Sequence, residues 1–120
     1  MLIELINKQR NAFNKNVFPE YKERQNHLAK LKSLLLQNQD QFIRALSDDF
    51  GQRSADDSRI GDFLSTISSI NYAQKNLKKW MKPEKRHVGP LFQPASARVE
   101  YQPKGVIGIM VPWNYPIFLA

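Results

Sequence analysis

The sequence predicts an α/β fold in which a helical part is followed by extended segments. Apolar residues recur at helical spacing as far as about residue 82. Beyond it the period changes, and residues 106–111 form an almost unbroken apolar run. Such a run is typical of a strand buried on both faces of a parallel sheet, and nothing upstream supplies a second strand of that kind. We therefore expect the sheet to be incomplete within these 120 residues.

Three amphipathic helices are predicted in the first 51 residues. The first stops before Pro19, because proline disrupts a helix interior. The second carries an apolar stripe from Leu28 to Leu35. Asn38 is placed to cap the third helix, and Gly51 suits the left-handed position that ends it.

A fourth and longer helix is predicted to end before Pro83. It begins at Ser54, and Asp57 three residues later resembles the second member of a capping box. Gly61 inside this helix costs about 1 kcal/mol relative to alanine. Either the close approach of another element or chance would explain a glycine at this position.

The chain after residue 82 is predicted to be extended. Residues 83–96 are loop-like, and Val99 and Tyr101 then alternate with polar residues, as in a strand with one exposed face. The apolar strand over 106–111 follows and ends at Pro112. These changes divide the chain into a helical region over 1–82, a crossing segment with one strand over 83–105, and a first sheet strand with its loop over 106–120.

Composition restricts the function less sharply. The 18 Lys and Arg against 11 Asp and Glu give a formal charge of +7, which would suit a nucleic-acid or membrane-surface partner. The basic cluster from Lys75 to Arg86 nevertheless favours a solvated helix end over a nucleic-acid patch, by about three to one. No apolar run is long enough for a transmembrane segment and no secretory leader is visible, so we expect a cytoplasmic protein. His27 and His87 are too isolated to predict a metal site.

The segment Pro112-Trp113-Asn114-Tyr115-Pro116 follows the carboxyl end of the apolar strand, where α/β proteins bind ligands. Its two prolines stiffen the loop, which suits a side chain that must already be aimed at developing charge. Asn114 is the candidate, because its amide can donate a hydrogen bond to an oxyanion without changing charge. From the loop alone, an ordinary turn hydrogen bond for Asn114 is favoured by about four to one.

Longer stretches of the sequence resemble one enzyme family. The pattern Pro103-x-Gly105-Val106, followed by the Trp-Asn-Tyr loop, looks like the signature of the aldehyde dehydrogenase superfamily. The stretches similar to the family's first helices are Gln9–Phe13, Arg24–Leu31, Leu46–Gly51 and Trp80–Pro83. The resemblance covers nearly the whole chain and is nearest to the branch of coniferyl aldehyde and fatty aldehyde dehydrogenases. It implies an amino-terminal piece of such an enzyme, with an incomplete cofactor-binding domain.

The resemblance also implies a reaction. In the family a cysteine thiolate attacks the aldehyde, hydride passes to NAD or NADP, and a glutamate-activated water releases the carboxylic acid. Asn114 corresponds to the asparagine that donates to the oxyanion. The residues implied at the nicotinamide end are Met110, Val111, Pro112 and Trp113. Those implied along the aldehyde tunnel are Tyr115, Phe118 and Leu119. An apolar tunnel suits an aromatic or long aliphatic aldehyde.

Several family features are missing from these residues. They contain no cysteine, no glycine-rich dinucleotide turn and no Glu-Leu-Gly-Gly stretch, so we expect them to be inactive alone and to bind cofactor weakly. The segment 98–102 resembles a strand of the family's oligomerisation domain, which implies a homodimer. Two other hypotheses stay open. A stand-alone helical interaction module would melt cooperatively without binding hydrophobic dye, and a nucleic-acid binder would lose affinity steeply with salt.

Overall fold

The computed structural model describes residues 1–120, most of which are helical. The first three helices are α1 (Leu2–Lys15), α2 (Tyr21–Gln37) and α3 (Gln39–Asp49). A continuous helical rod follows, made of α4 (Ala55–Ser58), a π-helical segment (Arg59–Leu64) and α5 (Ser65–Trp80). The predicted helices are thus confirmed, and the one long helix predicted after Ser54 contains a π-helical turn.

The helix ends follow the local chemistry of the sequence, with two corrections. Gly51 has φ +63°, the left-handed conformation predicted for it. The Asn38 side chain does not cap α3; its Nδ2 donates to the Leu34 carbonyl at 2.8 Å and closes α2 instead. Ser54 does start α4, where its Oγ accepts from the Asp56 N–H at 3.3 Å. Asp57 is not the second half of a capping box, because it pairs with an arginine described below.

The main core lies between α2, α3 and the rod. Helices α2 and α5 run antiparallel, and the Gln25 side chain donates to the Gln74 carbonyl at 2.6 Å across them. The Phe42 and Phe63 rings meet with centroids 6.1 Å apart. The buried apolar residues are Leu35, Ile43, Leu46, Phe63 and Ile70.

A short antiparallel hairpin follows the helices. Strand β1 (Glu84–Arg86) pairs with β2 (Ala97–Val99), and both strands are exposed. The predicted loop over 83–96 therefore includes a strand that the sequence did not reveal, because Glu-Lys-Arg has low β-propensity and is held by backbone pairing. The strand predicted around Val99 and Tyr101 is confirmed only as far as Val99.

The apolar strand predicted over 106–111 is not formed, so that prediction is wrong for these residues. All residues from 106 to 114 are exposed, and Ile107 is 66% exposed. A strand must exchange backbone hydrogen bonds with a neighbour. The only sheet in the chain is the hairpin of β1 and β2, which leaves this segment unpaired.

The molecule exposes far more surface than a compact protein of its size. Its radius of gyration is 19.6 Å, whereas a compact chain of this length has about 14 Å. Its accessible surface is 9947 Å², against about 6,700 Å² for a compact monomer of this mass. Only 7 of 120 residues are buried. None of the helices is long and apolar enough to cross a membrane.

Candidate functional site

The Pro-Trp-Asn-Tyr-Pro loop lies against the turn between α3 and α4. Arg53 in this turn has a side chain that is only 8% exposed. Its Nη1 donates to the main-chain carbonyl of Asn114 at 2.7 Å, and its Nε donates to the Asp57 carboxylate at 2.7 Å. The guanidinium also lies over the Tyr115 ring, 4.5 Å from the centroid. One arginine with a buried side chain therefore joins the helical layer (α1 to α5 with the turns between them) to the loop.

Asp62 holds the stretch of backbone that follows the loop. It lies in the π-helical segment and is fully buried. Its Oδ1 accepts hydrogen bonds from the N–H groups of Ile117 and Phe118, both at 3.1 Å. The Leu119 N–H in turn donates to the Tyr115 carbonyl at 3.0 Å, so these residues form a helical turn. A buried carboxylate is costly unless it is hydrogen-bonded, and here its two hydrogen bonds, both to Oδ1, hold the turn.

Gly61 allows the loop to approach the helical rod. A Cβ on Gly61 would overlap the Tyr115 ring, whose Cδ1 would lie 2.9 Å away. The close approach of another element, one of two explanations for this glycine, is therefore confirmed. The π-helical turn places Gly61 and its neighbour Asp62 against the same segment, and such turns occur often at functional sites.

Asn114 and the residues implied around the nicotinamide lie on the exposed side of the loop. The Asn114 carbonyl is bound by Arg53, and its side-chain amide makes no hydrogen bond within the chain. Trp113 is 79% exposed and touches Phe50, with ring centroids 5.9 Å apart. Met110 is 99% exposed, and Val111 and Pro112 are also exposed. Met110, Val111, Pro112 and Trp113 are consecutive and all exposed, so they do not enclose a nicotinamide by themselves.

The three residues implied along the aldehyde tunnel are not gathered into one cavity. Tyr115 lines a cavity of about 320 Å³ together with Asn114 and Arg53. Phe118 lines a separate apolar cavity of about 390 Å³ between α2, α3 and α5. Leu119 is 45% exposed. Their assignment to a tunnel remains a prediction.

Arg53 and Asp62 were not found from the sequence. Asp62 does carry a signal, since it is the one carboxylate in the apolar stretch Ile60–Leu64 and lies four residues from both Ser58 and Thr66. Residues four apart lie on the same face of a helix, so these three polar side chains share one face. Arg53 carries only its four-residue spacing to Asp57, which also fits an exposed ion pair.

Comparison with known proteins finds similarity to aldehyde dehydrogenases throughout. A profile of the aldehyde dehydrogenase family matches residues 3–120. The probable coniferyl aldehyde dehydrogenase of Pseudomonas aeruginosa is 46% identical over 97% of this chain and 24% of its own length. The coniferyl aldehyde dehydrogenase of a Pseudomonas species is 41% identical over 73% of the chain and 18% of its own length. Aldehyde dehydrogenase family 3 member H1 of Arabidopsis thaliana is 33% identical over 97% of the chain and 24% of its own length.

The chain thus spans no more than about a quarter of the length of the curated relatives that it matches. A mostly helical layer with a two-stranded antiparallel sheet is consistent with the amino-terminal part of this fold. Because the family profile covers both the helical layer and the Trp-Asn-Tyr loop, the chain belongs to the aldehyde dehydrogenase family.

Proposed function

We propose that these 120 residues are part of an NAD(P)-dependent aldehyde dehydrogenase that oxidises an aldehyde to the carboxylic acid. The observation that supports this most directly is the state of Asn114. Its carbonyl is held by the buried Arg53, while its side-chain amide has no partner within the chain. An oxyanion donor must be oriented before charge develops, and a loop anchored through its backbone provides that.

In this proposal Asn114 donates its amide to the carbonyl oxygen as the nucleophile attacks and negative charge forms there. The amide stays neutral, so it stabilises the oxyanion without a proton transfer of its own. The proposed NAD(P) dependence follows from family membership, since Met110 to Trp113 do not form a closed cofactor site by themselves.

The proposed substrate is an aromatic, coniferyl-like aldehyde or a long-chain aldehyde. Two relatives that match the chain are described as coniferyl aldehyde dehydrogenases. Tyr115 and Phe118 add aromatic surface close to Asn114 in the sequence, and apolar surface of that kind binds aromatic or long aliphatic groups.

We further propose that the 120 residues are inactive alone, because they contain no cysteine to act as the nucleophile. The enzyme would be cytoplasmic and a homodimer, with the hairpin of β1 and β2 extended by a strand of another subunit. An exposed hairpin edge offers unpaired backbone groups for such pairing. The experiment for this point is the oligomeric state of the complete gene product by light scattering.

The complete gene product should oxidise coniferyl aldehyde with NAD or NADP, followed by the absorbance of the reduced cofactor. Asn114→Ala should lower kcat by about 10²–10³ and change KM less, because one oxyanion donor is lost. Asn26→Ala, at an exposed position on α2, is the matched control and should leave kcat unchanged. An unaltered kcat in Asn114→Ala would remove this residue from the mechanism.

Reading the gene beyond the codon for Ala120 separates the dehydrogenase from the stand-alone interaction module. A following glycine-rich turn, a Glu-Leu-Gly-Gly stretch and a cysteine would support the dehydrogenase. A stop codon directly after Ala120 would leave the chain without a nucleophile and favour the module.

A further inference from the structure

We infer that Arg53 and Asp62 are a positioning pair that sets the orientation of the Asn114 amide. Arg53 holds the carbonyl of Asn114 itself, and Asp62 holds the N–H groups of Ile117 and Phe118. The backbone is thus fixed at Asn114 and again three and four residues later. The catalytic part of this inference rests on the proposed role of Asn114 as oxyanion donor.

The loop depends on these outside anchors because it has few hydrogen bonds of its own. Pro112 and Pro116 have no N–H group, so two of its five residues cannot donate from the backbone. The bond from Arg53 fixes the peptide plane that follows Asn114, and with it one of the two backbone torsions of that residue. The side chain of Tyr115 is held between Gly61 and the Arg53 guanidinium. These contacts limit the directions in which the Asn114 amide can point.

The geometry of the pair favours positioning over a simple ion pair. The facing atoms, Arg53 Nη2 and Asp62 Oδ2, are 3.6 Å apart and form no hydrogen bond, although both are buried. The short contacts go elsewhere, from Nη1 to the Asn114 carbonyl at 2.7 Å and from the turn to Oδ1 at 3.1 Å. An arginine and a carboxylate paired for their own sake usually form two parallel hydrogen bonds. Here Arg53 donates to the loop backbone at Asn114, and Asp62 accepts from the backbone of the turn that follows the loop.

The first test is Arg53→Lys in the complete gene product. Lysine keeps the charge but loses the planar fork that reaches Asn114 and Asp57 together. We expect kcat to fall by about 10–100-fold with a smaller change in KM, since a displacement of about 1 Å in a reacting group has this effect. The matched control is Arg59→Lys, in the exposed pair with Asp56 that does not touch the loop, and its kcat should equal that of the wild type. A wild-type kcat in Arg53→Lys would overturn the inference.

A double variant separates positioning from general stability. If Arg53 acts through Asn114, the Asn114→Ala/Arg53→Lys protein should have the kcat of Asn114→Ala alone. Multiplied losses would mean that Arg53 acts by another route and would overturn the inference. If Asn114→Ala itself has the wild-type kcat, the proposed donor fails. If only Arg53→Lys has the wild-type kcat, the inference alone fails.

Asp62 is tested by hydrogen exchange in addition to activity. Asp62→Asn keeps an oxygen acceptor for the turn, whereas Asp62→Ala removes it. Hydrogen exchange measured by mass spectrometry should show the amides of Ile117 and Phe118 protected in the wild type and in Asp62→Asn, and exposed in Asp62→Ala. The kcat values should follow the same order. Unchanged protection in Asp62→Ala would overturn the role of Asp62. If that variant does not fold, protection in Asp62→Asn equal to that of an unstructured peptide would overturn it as well.

Discussion

The helical layer and the segment over 106–114 are both rich in apolar residues, yet only the first buries them. Phe63 at the centre of the layer is 2% exposed, whereas Ile107 is 66% exposed and Met110 is 99% exposed. A helix satisfies its backbone hydrogen bonds within itself, so its apolar face can pack as soon as a second helix is present. A strand depends on neighbours for every backbone bond. Hydrophobicity alone therefore does not decide which region of this chain buries its apolar side chains in a core.

The Trp-Asn-Tyr loop begins within the exposed segment, and the helical layer holds its second half. Asn114 and Tyr115 are held by Arg53, and the turn after them is held by Asp62. Trp113, which precedes them, is 79% exposed. The hydrogen bonds between the loop and the helical layer thus begin at Asn114, in the middle of a five-residue motif.

Truncation in the centre of the helical layer should have the largest effect. Phe63→Ala should lower the free energy of unfolding by about 3–5 kcal/mol, because it removes a buried ring from the contact with Phe42. Phe92→Ala, at a position that is 67% exposed, is the control and should change it by less than about 0.5 kcal/mol. Urea denaturation followed by circular dichroism measures both. Equal losses would mean that the layer has no distinct core.

The turn that carries Arg53 should be the next most sensitive part. Gly51→Ala should lower the free energy of unfolding by roughly 1–2 kcal/mol, since an alanine at φ +63° is sterically strained. Gly51→Asn should lose less, because asparagine tolerates the left-handed conformation better. The same urea denaturation compares the two variants. If Gly51→Asn lost as much free energy of unfolding as Gly51→Ala, the left-handed backbone conformation would not be the cause of the loss.

The contact between the rod and the loop should give a smaller net effect. Gly61→Ala gains about 1 kcal/mol in helix propensity but forces the Tyr115 ring to move, at a cost of about 1–3 kcal/mol. The expected result is a net loss of about 1 kcal/mol in the thermal melt. Gly89→Ala is the control, because an added Cβ there meets nothing within 4 Å. A more stable Gly61→Ala variant would mean that Tyr115 moves away at no cost.

The exposed segment should be the least sensitive. Ile107→Ser should change the free energy of unfolding of the 120-residue chain by less than about 0.5 kcal/mol, because its side chain is 66% exposed. Hydrophobic dye fluorescence should fall, since apolar surface is removed. In the complete gene product, Ile107→Ser should lower the free energy of unfolding by about 2–5 kcal/mol if the segment forms a buried strand in that protein. A large loss in the short chain would show that this segment already packs.

The parts of the site that could be predicted from sequence are those with local chemistry. The loop around Asn114 is visible as two prolines that bracket polar and aromatic residues, and the left-handed Gly51 follows from its place at a helix end. Arg53 reaches its partner Asn114 across 61 residues, and Asp62 reaches Ile117 across 55, so no short-range pattern marks either pair. Strand β1 was not predicted for the same reason, because its charged residues are held in place by pairing with the backbone of β2.

The sequence by itself determined the helical layer, the position of the loop and the family to which the chain belongs. Each of these depends on spacing within a few turns of the chain or on a contiguous motif. Only the tertiary structure decided which side chains hold Asn114, why Gly61 is a glycine, and that the apolar run over 106–111 stays unpaired. The physical reason is that close packing and strand pairing depend on residues far apart in the chain. Local periodicity does not predict which of these distant residues come into contact.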